Sequence, residues 1–158
     1  MNPDTNRLND LFLCLASQNK SLERFIAVLE KENAVLRDAP SEADLETLSH
    51  EKMLFSRELA EQDQQRKNLL RSLGLEDTRD AIEGLGQHDA RLIPIFTRLL
   101  QNADTAQTLN RRNGAILQSL LEHNEKTVRA LHALTGDDLY DARGKLTGKR
   151  QRTPDRKA

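Results

Sequence analysis

The sequence predicts an all-α fold, an elongated antiparallel helical bundle of three main helices, the last very long, followed by a disordered basic C-terminal tail. Three observations carry this expectation. Aromatic residues make up 3 % of the chain and Trp is absent, while Leu, Glu, Arg, Gln and Ala are abundant, which is a helical bias. Apolar residues recur every seven positions, the period of helices packed side by side. Helix stops fall at three places and nowhere else: around Pro40, from Gly74 to Gly86, and at Thr135-Gly136.

The first helix is expected over residues 3–37. Pro3 suits a first helical position with Asn2 as cap. Leu8, Leu15, Leu22, Leu29 and Leu36 form a row with a spacing of seven, flanked by Phe12, Asn19, Ile26 and Asn33. This seam is half polar and needs a partner helix. Pro40 disfavours helical geometry at Ala39. Ser41 with Asp44 then reads as a capping box opening the second helix, residues 41–73. Leu45, Leu48, Phe55, Leu59, Leu69, Leu70 and Leu73 mark its face, and Gly74 is placed to end it in left-handed geometry. Residues 60–68 are almost wholly polar, so a helix there is solvated or touches its neighbour through aliphatic stems.

Asp77 or Thr78 can cap a short helix ending at Gly84. Gly84-x-Gly86 has no preceding strand and no following Gly-Lys-Ser/Thr, so it does not read as a phosphate loop. The long helix spans residues 90–134. Pro94 sets its start, either as the true first turn or as a kink after an earlier turn. Its length, on the order of 60 Å at 1.5 Å per residue, exceeds a compact domain of this size and implies a rod.

Two rows run along this helix. One is Leu92, Leu99, Ala106, Asn113, Leu120, Thr127 and Leu134, and the other Phe96, Ala103, Asn110, Leu117, Asn124 and Leu131. Asn110, Asn113 and Asn124 interrupt them with carboxamides. Such groups either fix packing register through hydrogen bonds or are partly exposed and satisfied by water. Gly114 costs the helix roughly 1 kcal/mol relative to Ala, and close approach of a neighbouring helix would offset it.

Composition also limits function. The net charge is −1, so no global field selects nucleic acid or membrane. From Lys145 onward six basic residues stand against Asp155, a net +5 that leaves about −6 for the body. This divides the chain into a helical domain, 1–144, and a basic tail, 145–158. The tail lacks aromatic side chains for base stacking and reads as a solubilising end, not a nucleic-acid arm. No apolar run approaches the roughly 20 residues of a membrane span, and the N-terminus lacks a signal-peptide pattern, so the expected location is cytoplasmic. Cys14, the only cysteine, reads as a small buried apolar residue.

No catalytic, cofactor or metal constellation is visible. None of His50, His88, His123 and His132 has Glu three residues before it, and no His-Glu-x-x-His occurs. An enzyme is not expected.

Three stretches together resemble the FlgN type of flagellar export chaperone. They are Leu48-x-x-x-Lys52 with Leu59, Arg66, Leu69, Leu70 and Gly74; Leu109-Asn110-x-x-Asn113-Gly114-x-Ile116-Leu117; and Leu139-Tyr140-Asp141-Ala142-x-Gly144. The similarity spans about Leu8 to Gly144. It implies a cytoplasmic chaperone that binds hook-associated (hook–filament junction) proteins and delivers them to the export gate of the flagellar type III system. Its implied partners are those proteins, the export-gate platform protein and further export-apparatus components, without nucleic acid or membrane insertion. Substrate binding falls on Ile116, Leu117, Leu120, Leu121, Val128 and Leu131, and gate docking on Leu139 and Tyr140. Many members carry Gly directly after that Tyr, where this chain has Asp141. The physical reading is compatible, since an uncovered apolar helical face is what a partner's amphipathic helix would cover. Two alternatives stay open: the same leucines as bundle core, and a coiled-coil adaptor that dimerises through its long helices.

Overall fold

The computed structural model describes residues 3–135. They form four helices, α1 (Thr5–Leu36), α2 (Glu42–Ser72), α3 (Arg79–Leu85) and α4 (Leu92–Thr135), and no strand occurs among them. The three long helices match the sequence reading to within two residues at each end. The chain divides at Asn113/Gly114 into two units, taken in turn.

Local chemistry sets the helix ends of the first unit. The cap of α1 is Asp4, whose carboxylate accepts from the Asn6 backbone N–H at 2.9 Å, so the helix begins two residues later than Asn2 would set it. At the other end Ala39, before Pro40, takes a φ of +46° and turns the chain. The capping box of α2 is present in both directions: Ser41 Oγ accepts from the Asp44 N–H and Asp44 accepts from the Ser41 N–H. Gly74, at φ +77°, closes α2 in a Schellman motif. The Leu75 N–H donates to the Leu70 carbonyl and the Gly74 N–H to that of Arg71, each at 2.9 Å. Thr78 caps α3, which includes Gly84 within its last turn. Because α4 begins at Leu92, Pro94 lies in its first turn, where a missing N–H breaks no helical bond.

Contacts along α1 define the topology. Arg7 meets Ser72, Gln18 meets Asp63 and Glu32 meets Lys52, so α2 runs antiparallel to α1. Asn9 meets Arg91, Glu23 meets Arg98 and Asn33 meets Asn113, so α4 runs parallel to α1. The core between them is built from Leu8, Leu11, Leu15, Leu22 and Leu29 of α1, Leu70 of α2, Ile82 and Leu85 of α3, and Leu92, Phe96, Leu99 and Ala106 of α4.

Polar rungs alternate with these apolar ones. Most of the polar stretch of α2 is exposed, as expected, but Gln62, Asp63 and Arg66 turn inward and pair with α1 through side-chain hydrogen bonds. Gln62 is buried, and its Nε2 donates to Ser21 Oγ at 2.9 Å and Ser17 Oγ at 3.3 Å. Arg66 donates through Nη1 to Gln18 Oε1 (2.7 Å) and Asp63 Oδ1 (2.8 Å), and through Nε and Nη2 to both oxygens of Asp77 (2.9 and 3.0 Å). That fork ties the segment entering α3 to α2. These positions fall on seven-residue rows: Leu48, Phe55, Gln62, Leu69 and Leu45, Lys52, Leu59, Arg66, Leu73.

On α4 the buried row is Leu92, Leu99, Ala106 and Asn113. Asn113, at 1 % exposure, donates to the Leu29 carbonyl and to Glu32 Oε1, both at 2.8 Å, and accepts from Asn33 Nδ2 at 3.0 Å. Glu32 in turn accepts from Lys52 Nζ at 3.3 Å, so one polar cluster joins all three long helices. The flanking row is Ile95, Asn102 and Leu109, half-buried, instead of Phe96, Ala103 and Asn110, of which only Phe96 is buried. Asn102 Nδ2 donates to Asn19 Oδ1 at 3.1 Å, and Asn19 donates to the Ile95 carbonyl at 3.0 Å. Asn110 is exposed, because the face of α4 turned toward α1 lies one residue away from the expected row.

Two predictions follow from these polar rungs. Asn113→Ala removes the hydrogen bonds to the Leu29 carbonyl, Glu32 and Asn33 together and should cost about 2–3 kcal/mol in urea unfolding, whereas Asn110→Ala should stay within about 0.5 kcal/mol. The hydrogen bond from Arg66 holds the Asp77 carboxyl below the ordinary carboxylate value. A depressed folded value contributes stability in full above the unfolded pKa of about 3.9, and loses it as pH falls through the folded value. Asp77→Asn should therefore be less stable than wild type by about 2 kcal/mol at pH 7, with the gap closing toward pH 2–3 in denaturant melts.

Candidate functional site

The second unit begins at Gly114, and its described part is the C-terminal half of α4. The residues fall on the helix in a definite order. At 100° per residue, Leu117, Leu121, Val128 and Leu131 share one stripe, and Ile116, Leu120 and Leu134 lie beside it, a mostly apolar arc of about 140° that Asn124 and Thr127 interrupt. Glu122, Lys126 and Arg129 occupy the opposite side. Ile116, Leu117, Leu120 and Val128 are half-buried, while Leu121, Leu131 and Leu134 are 49 %, 54 % and 84 % exposed. From Gly114 to Leu134 no residue is buried. The alternative that Leu120, Leu121, Val128 and Leu131 are all core does not describe Leu121 or Leu131.

A Cβ built on Gly114 meets nothing within 4 Å among the described residues. Leu139, Tyr140 and the basic tail lie outside the described residues.

The electrostatics locate no reactive group. Burial pushes the Cys14 thiol above its ordinary pKa, against the smaller opposing effect of Arg66, and its Sγ lies 3.8 Å from the Gln62 carbonyl oxygen. A buried, protonated thiol is not a nucleophile. The other displaced groups are hydrogen-bonded ion pairs: Arg66 with Asp77, Arg79 with Glu83, and Arg91 with Asp89. Among the described residues no group of three or more His, Cys, Asp or Glu is arranged to hold a metal, and no helix is long and apolar enough to cross a membrane. What this half-helix can do chemically is present apolar area with charged residues on its opposite side, the form in which an amphipathic partner is recognised.

Sequence reasoning singled out the apolar residues of this face, and Arg66 only as part of a family-like stretch, but passed over Gln18 and Gln62 in the first unit and gave Arg66 no packing role. Their seven-residue spacing from leucines was the available signal.

Comparison with known proteins gives the family. A family model described as FlgN protein matches residues 1–148. No curated protein matches the chain, and no solved structure does. A family match over nearly the whole of 158 residues places the chain in the FlgN family, and with it in the general role of a chaperone for flagellar protein export.

Proposed function

We propose that the protein is a cytoplasmic chaperone that binds hook–filament junction proteins through the apolar face of the second half of α4 and delivers them to the export-gate platform. The observation that carries this reading is Leu121, half exposed on a stripe with Leu117, Val128 and Leu131. A large aliphatic side chain held in that position on a helix is unfavourable area until a partner covers it. A cargo helix laid along the stripe would meet Leu117, Leu121, Val128 and Leu131 at i, i+4, i+11 and i+14, with Ile116 and Leu120 widening the contact. Leu139 and Tyr140, a few residues beyond the helix, carry the gate-docking step in this reading. Tyr suits it, because it brings apolar area and a hydrogen-bonding tip at low entropic cost. The division of labour then follows the chain: residues 1–144 bind and dock, and the tail from 145 to 158 keeps the protein in solution.

Leu121→Asp combined with Leu131→Asp puts two carboxylates on the stripe. Junction-protein affinity should fall by at least about thirtyfold in calorimetry, the loss of one good anchor, with helicity retained in circular dichroism. A folded double variant with undiminished affinity would remove the face from the model of binding, and self-association at low micromolar concentration without cargo affinity would favour a dimerising adaptor instead.

Tyr140→Ala should weaken binding to the gate platform by roughly thirtyfold while leaving thermal stability and junction-protein affinity in place. A fall in melting temperature with gate affinity intact would make Tyr140 a staple on its own helix.

A further inference from the structure

The anchoring of α4 stops at one residue. Up to Asn113 the helix carries a buried row, and the Asn113 carboxamide bonds the Leu29 carbonyl and Glu32 of α1. Beyond it, through Leu134, no residue is buried. Two side chains there bond along the helix itself, Gln118 Nε2 to Glu122 Oε1 at 3.2 Å and Thr127 Oγ1 to the His123 carbonyl at 3.0 Å.

Gly114 stands at this boundary. Glycine serves a helix where a neighbour leaves no room for a Cβ or where φ is positive, and neither holds here. The space around its Cα is open among the described residues, and the only glycine with positive φ among them is Gly74. The remaining physical effect of glycine is to weaken the helix, since it has more backbone freedom to lose than any other residue.

We propose that Gly114 is a built-in weak point that divides α4 into two cooperative segments. The segment from Leu92 to Asn113 opens only with the bundle. The segment from Ala115 to Thr135 opens and re-forms by itself. About 20 residues is little more than the length at which an isolated helix becomes marginal in water, so without buried rungs this segment is poised between helix and coil. For a binding face this sets a regulation: a partner must first find or induce the helix, and affinity scales with the helical fraction. That consequence rests on the binding face proposed above, whereas the weak point does not.

Hydrogen–deuterium exchange of the full chain, read by mass spectrometry, separates the two. In the free wild type, amides of 115–134 should exchange faster than those of 99–113, with the step at Gly114. Gly114→Ala should slow exchange of 115–134 by about fivefold and leave 99–113 unchanged. Ser119→Ala, on the exposed side, reports a general gain in helix propensity and should slow the segment by less. Equal protection on both sides of Gly114, or no slowing in Gly114→Ala, would overturn the weak point. A purified hook–filament junction protein added to both variants should protect 115–134 and bind Gly114→Ala up to about fivefold more tightly. A step at Gly114 that cargo leaves unaltered would uphold the weak point and overturn the binding face.

Discussion

A polar group on a packing seam must be paired, and in the first unit that requirement governs how the helices meet. Leucines alone would let α1 and α2 slide by a turn at little cost, since one leucine rung resembles the next. Gln18 against Asp63 and Arg66, Gln62 against Ser17 and Ser21, and Glu32 against Lys52 and Asn113 allow one register. A slip would strand several buried donors and acceptors, each costing about 1–3 kcal/mol. The pairing is not complete: Gln62 Oε1 is buried and finds no partner among the described residues. Specificity here is bought with some stability.

The same constraint organises the path from α2 to α4. The Schellman turn at Gly74 sends the chain back toward α1, and the Arg66–Asp77 fork holds the strand-free connection against α2. Ile82 and Leu85 of α3 then reach the core beside Leu70 and Leu92. Gly86 follows directly, where an added Cβ would fall 2.3 Å from Ile93 Cδ1, so the turn into α4 has little room to vary. Arg91 stacks its guanidinium over Phe12, 4.3 Å from the ring centroid, and bonds Asn9 and Asp89. Several modest interactions thus fix where α4 begins and which face it turns to α1.

The general chaperone role is compatible with a first unit of determined register and a second stretch, Gly114 to Leu134, in which no residue is buried. If the proposed face binds cargo and its helix is only marginally stable, part of the contact energy is spent on ordering, which favours release. The arrangement needs no catalytic group. The one thiol is buried and protonated, and the displaced pKa values belong to ion pairs that hold structure.

Helix number, helix bounds and most caps were legible in the residues themselves, because Ser41, Gly74, Thr78 and Pro94 act on their own neighbours within one turn. So was the buried leucine row of α1, whose period is local. The cap at Asp4 in place of Asn2 shows the limit of that local reading, since either residue has the chemistry and only the backbone path selects one. Tertiary structure decided the rest. Asn113 and Asn110 are chemically identical and three residues apart, yet one is buried in a three-helix cluster and the other is exposed, because packing against α1 chose the row one step away. Most of residues 60–68 are exposed, as their polarity suggests, but Gln62 and Arg66 are half of a pairing whose other half, Gln18, Ser21 and Asp77, lies elsewhere in the chain and could not be read from one helix. The apolar face of the last helix was visible as a pattern, but exposure is a property of what surrounds a side chain, and only the folded chain distinguishes Leu121 from the equally apolar Leu99.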